Sequence, residues 1–538
     1  MRDHFRLDPF DADIPLIFAV GSLCGTSAPA SSRLSVVSRS PLTGTIFSSS
    51  AGGSFAWQLK RTGIDALVVS GRSPRPVILY ITPSGAVLEP ADHLWGKGIT
   101  QLFTALREGA GVAGIGPAGE RGVLFAGIVM EDGGEAGRGG LGAVMGSKNL
   151  KALTAKGDQE TSVANPERLE RARQDAMRLF RASPVISGEL GIGEYGTPAL
   201  VDLLRVRRMT PTANFRATHF AGAVNYSGPA IRRRFSPRSE GSHDCPVQCR
   251  QRAEGVGRLP ELDAVSHFGA LNLIDDLETI VAANAICSDA GMDPISAAAT
   301  VATLGELRGR FPDGDELLEL LRQTVERTGP GELLSQGSRR FALESGAPHL
   351  SMTVKGLEIP AYDPRGAYGM ALSYCTSSRG ACHLGACAHS HEVLRKPVPT
   401  DRFSLSGKAR IIAGGEDAYA ALDSISVCPF ALFAASLEEY GEMVSTVTGM
   451  EFSPRILRQA GANICLTERY YNCVNGFTID DDILPDRFFT EGGSDGDGIT
   501  VPPIDRQRFL EELRKYYAIR GLNHDGCLTD HRFLEALP

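Results

Sequence analysis

The sequence has no excess of positive charge: 55 Lys and Arg stand against 63 Asp and Glu, a net of −8. That balance removes any global pull toward nucleic acid or anionic lipid and leaves only a local basic pocket for anionic ligands. No apolar run approaches the roughly 18 residues that span a bilayer. The stretch Ile14 to Leu23 follows an acidic start, so it does not read as a secretory signal. Repeats, low-complexity tracts and a Gly-Lys-Ser/Thr phosphate loop are also missing. Eleven cysteines cannot all pair, and they lack the dense, even spacing of a secreted disulfide framework. The expectation is a cytoplasmic chain with thiols free for metal, no nucleic-acid partner and no membrane association.

What is present is a globular balance, 42% hydrophobic and 22% charged. A chain of 538 residues is enough for about two to four domains. Residues 1–160 are rich in Gly, Ser and β-branched residues, with strand-like runs at Ile64–Gly71 and Pro76–Thr82. Residues 161–350 open on Asn165-Pro166-Glu167, where Asn caps a helix and Pro fits its first position. Leu273, Leu277, Ile280 and Val281 mark an amphipathic helix with Gly291 as its C-cap. Residues 351–538 mix Gly-rich loops with helical patterns such as Asp505 to Tyr517. The order of elements reads as α+β, a β-rich N-terminal domain followed by two mainly helical domains.

Glycine is abundant, 61 residues, or about 11% against a usual level near 7%. It concentrates in Gly114-Ile-Gly-Pro-Ala-Gly-Glu120 and Gly133–Gly142, which runs on to Met145-Gly-Ser-Lys-Asn-Leu-Lys151. Both carry Gly-x-Gly-x-x-Gly spacing, but strand-like Gly122–Phe125 follows the first and an acidic loop precedes the second. Neither is therefore expected at the strand-to-helix turn of a dinucleotide fold. Arg138, Lys148 and Lys151 suit a phosphate; spacing alone favours ordinary turns with solvated basic residues.

Cys245-Pro-Val-Gln-Cys249 offers two soft ligands to zinc or an iron–sulfur cluster, or else two structural thiols. Cys287, Cys375, Cys382, Cys387 and Cys428 are candidate partners. Arg379-Gly-Ala-Cys-His383, with Cys387, His389 and His391, invites a zinc reading without the spacing of a zinc finger. Pro260-Glu-Leu-Asp263 supplies carboxylates that serve as acid or base if buried beside a metal, and as surface ion pairs otherwise.

In order, these motifs resemble the tungsten-containing aldehyde:ferredoxin oxidoreductase family over nearly the whole chain. The resemblance rests on Gly21–Thr26 with Arg33, Ser40–Gly44, Gly52-Gly53, Gly116–Glu120 and above all Gly137–Lys151. Cys245 and Cys249, Pro260–Asp263, Asp363–Gly366, Ser378–His383 and Asp423–Cys428 complete it. It implies tungsten, or molybdenum, held by the dithiolenes of two pterins (a tungstopterin, or bis-molybdopterin, cofactor), with a 4Fe–4S cluster nearby. The β-rich region would cradle the pterins and the helical regions would close over them. By position, Arg33, Gly52, Gly137 and Arg138 match pterin contacts from the first region. Ser288, Met292, Asp293, Asp423, Val427 and Cys428 match contacts from the helical regions. The matched cluster ligands are Cys245, Cys249 and Cys428.

The implied reaction oxidises an aldehyde to a carboxylic acid, with electrons leaving singly through the cluster to ferredoxin or an electron-transfer subunit. A homodimer is one assembly in keeping with it. Asp263 matches the buried base and His383 the hydrogen-bonding group beside the metal. The chain departs from the family pattern at Ser242, in place of a first cluster cysteine, and at Asp263, one methylene shorter than Glu. It also has Ser288 for Asp and Ser426 for Gly, and its start aligns inside the family's first region, so that strands of the base would be absent. These departures keep two alternatives open. One is the same cofactor with another reaction, such as reduction of an activated aromatic acid; the other is a degenerate pterin-binding relative without catalysis.

Overall fold

The computed structural model describes residues 6–106, 109–189, 191–386, 388–396, 398–494 and 498–528. Cys387 lies outside the described residues.

The N-terminal part is built on two sheets. The first has the antiparallel order β3-β2-β1-β4, from β1 (Leu16–Ala19), β2 (Arg33–Arg39), β3 (Ile46–Gly52) and β4 (Ala66–Val69). The second comprises β5 (Val77–Thr82), β6 (Gly85–Pro90), β7 (Gly111–Gly114), β8 (Ile128–Met130), β9 (Glu135–Ala136) and β10 (Leu150–Ala155). Its order is β6-β5-β10-β7-β8-β9; β10 and β5 run parallel and the other described pairs antiparallel. Side chains alternate across a strand. In β2 this buries Leu34, Val36 and Ser38 in the core. The opposite face carries Arg33, Ser35 and Val37, which line two internal cavities. Register pairs Arg33 with Gly52 at one end of this sheet.

From Pro166 onward helices dominate. Asn165 accepts a hydrogen bond from the Arg168 N–H and caps the helix Pro166–Ala182. Asp276 caps the helix Leu277–Ala290, which ends at Gly291 in the left-handed region (φ 67°). Leu273 lies outside this helix, because Asp276 sets its start and Leu273 has itself turned left-handed (φ 62°). The helix Arg506–Arg520 begins at its cap Asp505. A small sheet of β11 (Arg238–Glu240), β12 (Arg250–Ala253) and β13 (Gly257–Arg258) interrupts the helices. Because β11 pairs with β12, Glu240 opposite Arg250, residues 241–249 form the loop of a hairpin.

Three expectations change. Gly122–Phe125 is a turn, not a strand, because its neighbour is another loop. Asp293 N–H donates to Phe125 O (3.1 Å) and Gly127 N–H to Gly291 O (2.9 Å). Both Gly-x-Gly-x-x-Gly stretches do lie between a strand and a helix: β7 before Pro117–Glu120, and β9 before Leu141–Ser147. These strands run antiparallel to their neighbours and the helices are short, so no dinucleotide-type parallel crossover results. Finally, Cys473 and Cys527 are joined as a disulfide. It ties the end of the described chain to the helix Pro454–Val474 beside a buried charge cluster. There Asp482 meets Lys355 Nζ (2.5 Å), Arg469 Nη1 (2.7 Å) and the Tyr517 hydroxyl (2.6 Å).

Much of the glycine serves chain-to-chain contact. A Cβ on Gly142 would stand 2.2 Å from Gly127 O, and one on Gly146 2.1 Å from Gly119 O. Gly137 is different. It has ordinary helical angles (φ −81°), and a Cβ there would meet nothing nearer than the Glu135 side chain at 3.7 Å. It borders the cavity beside Arg33. Gly142→Ala should therefore cost about 1–3 kcal/mol in denaturant unfolding, the usual range for overpacking. Gly137→Ala should leave stability unchanged or raise it by up to about 1 kcal/mol, while lowering the amount of any group bound in the cavity. Equal stability losses in both variants would contradict this division.

Candidate functional site

A cavity of about 320 Å³ opens where the free faces of β2 and β3 meet the helical half. It brings together Arg33, Gly52, Gly137 and Arg138 from the N-terminal part. Asp263, Ser288, Asp293, His383 and Asp423 meet them from the helical part, along with all three expected cluster thiols. Met292 and Val427 do not line it. Met292 is held in an isolated bridge with Ala126, Val427 donates its N–H to Leu422 O, and both side chains are buried in hydrophobic clusters. A second cavity of about 640 Å³ shares Arg379, Leu384 and Asp423 with the first.

One end holds the acid–base pair. Asp263 lies in the first turn of the helix Leu262–Phe268. Its Oδ1 accepts the Ala361 N–H (2.9 Å) and its Oδ2 stands 3.6 Å from His383 Nε2. Burial pushes the Asp263 pKa up, opposed by the charges of His267 and Arg138. Burial, reinforced by Arg138 and Arg379, pushes His383 down to about 3. His383 is thus a neutral imidazole at working pH, and its Nδ1 has no hydrogen-bond partner among the described residues. Tyr362 lies 5.7 Å from the His383 ring and stacks on His389 at 4.7 Å, making an aromatic wall. The His267 ring sits between the carbonyls of Asp263 and Ile359, 3.0 Å from each.

The other end holds sulfur. Cys245 and Cys249 come from the β11–β12 loop and Cys428 from the segment after the helix Lys408–Ser424. Cys428 donates its N–H to Ala30 O (2.9 Å), and Arg33 Nη1 lies 3.9 Å from its Sγ. Burial raises the pKa of Cys428, opposed by Arg33 and reinforced by Cys245. Cys249 is raised by burial, Glu261 and the other two thiols. Two neighbouring thiols that resist ionisation, Cys249 and Cys428, with a third at Cys245, suit a partner that brings positive charge. They do not make a ready single-ion site: among the described residues no three His, Cys, Asp or Glu side chains are grouped to hold one metal ion.

Cationic groups tie the walls together. Arg138 donates to Ala381 O (2.8 Å) and Glu358 O (2.6 Å) and pairs with Asp293 at 3.4 Å, bridging the β-rich part to two helical segments. Asp293 also caps the helix Pro294–Leu307 through the Ile295 and Ser296 N–H groups. Of the other basic residues singled out in the sequence, neither faces the cavity. Lys148 donates to Ala12 O (2.8 Å), and Lys151 pairs with Glu120 at 2.5 Å.

Arg379 was not among the expected site residues. It borders both cavities, donates to Ser48 O (2.8 Å) and faces Asp423 and Glu468. Its signal was its place in Ser378–His383, where the Cys and His drew attention. Asp423 Oδ1 is buried without a hydrogen-bond partner among the described residues, and burial raises the Asp423 pKa despite Arg379 and Arg33.

Two family profiles match the chain. The aldehyde ferredoxin oxidoreductase N-terminal domain covers residues 2–157, and domains 2 and 3 of the same family cover 171–536. The chain is 36% identical to the tungsten-containing aldehyde ferredoxin oxidoreductase of Pyrococcus furiosus, over 98% of this chain and 91% of that one. It is likewise 36% identical to the protein of that name from Thermococcus kodakarensis, over 97% and 89%. Among solved structures, the active site complex BamBC of benzoyl coenzyme A reductase with 1,5-dienoyl-CoA aligns at a TM-score of 0.83 and 23% identity. That alignment covers 99% of this chain and 90% of that one.

Proposed function

Because the chain belongs to the aldehyde ferredoxin oxidoreductase family, we propose that it oxidises an aldehyde to a carboxylic acid at a tungsten or molybdenum centre held by two pterins. Electrons then leave singly through an iron–sulfur cluster to ferredoxin or an electron-transfer subunit. The observation that carries this reading is the single cavity in which Asp263 and His383, 3.6 Å apart, face the three thiols.

The residues present fit the cofactors. Among the described residues no atom fills the room beside Gly137, and none partners the buried polar atoms His383 Nδ1 and Asp423 Oδ1. Arg33, Gly52, Gly137, Arg138, Ser288, Asp293 and Asp423 would contact the pterins, with Arg379 added to them. Cys245, Cys249 and Cys428 would hold the cluster. When bound, the metal accepts the two electrons of the aldehyde and the cluster relays them one at a time.

The chain's own groups handle the proton and the carbonyl. Oxidising the aldehyde to the acid consumes one water and releases two electrons and two protons; Asp263, its pKa raised by burial, takes up one of those protons and the other passes to solvent. Neutral His383 donates a hydrogen bond to the carbonyl oxygen as negative charge grows there. The stacked Tyr362 and His389 rings form the cavity wall beside this pair.

Anaerobic purification followed by metal analysis tests the reading. One tungsten or molybdenum and about three to four iron atoms per chain are expected, with aldehyde-dependent dye reduction. A chain with neither metal nor iron would sink the proposal and point to a non-catalytic relative. A loaded chain inert toward aldehydes would point to another reaction at the same cofactor.

A further inference from the structure

A cubane cluster has four iron corners, and each needs a ligand from the chain or from solvent. Four thiols line the cavity: Cys249 feels the charges of Cys245 and Cys428, so these three lie together, whereas Cys382 adjoins His383 and faces Arg379 and Tyr374. Three further side chains of the same hairpin loop can compete for the fourth corner. The His243 ring is packed on Trp57 at 4.5 Å, lies 3.5 Å from the Asp244 carboxylate and is 41% exposed. Asp244 is 66% exposed, does not line the cavity and sits in the left-handed region (φ 51°). Ser242 and His243 both line the cavity; Ser242 lies one turn of loop before Cys245, whose N–H it accepts through its backbone carbonyl (3.1 Å).

Two contacts fix where the Ser242 hydroxyl points. Arg250, which pairs with Glu240 to close the hairpin, donates from Nη2 to Ser242 Oγ (3.2 Å). Gly52 packs so closely against it that a Cβ there would lie 2.3 Å from Oγ.

Resting on the function proposed above, we infer that Ser242 Oγ is the fourth ligand of the cluster, giving three thiolate-held irons and one oxygen-held iron. Oxygen is a harder and less tightly bonding ligand to iron than sulfur. The oxygen-held iron is therefore the one lost on oxidation. Losing it converts a 4Fe–4S cluster of charge 2+ into a 3Fe–4S cluster of charge 1+, with release of one ferrous ion and one electron, which an added oxidant such as ferricyanide accepts.

The test uses the full chain, purified anaerobically with its cofactors, as wild type, Ser242→Cys and Ser242→Ala. Limited ferricyanide should remove about one iron in four from the wild type and produce the paramagnetic resonance signal of a three-iron cluster. Ferrous ion with reductant should reverse it. Ser242→Cys should keep all its iron under the same treatment. Ser242→Ala should change the resonance of the reduced cluster and shift its potential before any oxidant is added. If Ser242→Ala matches the wild type in iron content, resonance and potential, the ligand assignment is wrong and the proposed function stands. If the wild type carries no iron at all, both fall together.

Discussion

Asp263→Asn should lower the turnover of the loaded enzyme by about 10²- to 10⁴-fold, the usual contribution of a positioned general base. Asparagine keeps the shape and can still accept the Ala361 N–H, so tungsten and iron contents should not change. The effect should appear in kcat more than in KM, because the carboxylate acts on the proton lost during the reaction rather than on substrate affinity. The pH profile gives a second readout. Asp263 works only when deprotonated and its pKa is raised, so wild-type turnover should fall as pH drops through that raised value. The residual rate of the Asn variant should lack this acid limb. His383, held down to about 3, adds no limb of its own near neutrality. Full turnover in Asp263→Asn would remove it from the reaction.

The second large effect is on stability. Asp482 is wholly buried between Lys355 and Arg469 and accepts the Tyr517 hydroxyl. Asp482→Asn leaves two buried cations without their counter-charge, which should cost about 3–5 kcal/mol. Lower denaturant midpoints or faster thermal inactivation would register it. Burial acts to raise the Asp482 pKa, but Lys355 and Arg469 outweigh it and hold it below the ordinary carboxylate value. Its stabilisation is therefore complete above the unfolded-state value of about 3.9 and disappears as pH falls through the lower folded value. The difference between wild type and variant should close in that acid window. A variant as stable as the wild type at neutral pH would refute the assignment.

Local rules made part of this structure readable in advance. Asn165-Pro166, Gly291 and Asp505 mark helix ends because caps are satisfied by the nearest residues in sequence. Motif order led to Asp263, His383 and the three thiols, which do converge on one cavity. What local pattern does not contain is partnership across the fold. Gly122–Phe125 has the residues of a strand, but its hydrogen bonds are scattered: Gly122 and Val123 donate back to Gly119 and Ala118, Leu124 donates to Ser335, and Phe125 O accepts the Asp293 N–H. The glycine excess suggested room for a ligand. At Gly142 and Gly146 it makes room for another stretch of backbone, and at Gly137 alone of these three does no neighbouring protein atom demand it. Met292 and Val427 lie in matching motifs yet turn their side chains into the core. Arg379 stood beside more conspicuous residues, and only the fold shows that it borders both cavities.

Arg33 and Cys428, which face each other across the sulfur end of the cavity, are 395 residues apart in the chain. At ribosomal speeds of about 5–20 residues per second, Cys428 is made about 20–80 s after Arg33. During that interval the strand bearing Arg33 has emerged while the opposite wall is still being translated. The cavity is therefore complete only once the segment carrying Cys428 has docked on Ala30.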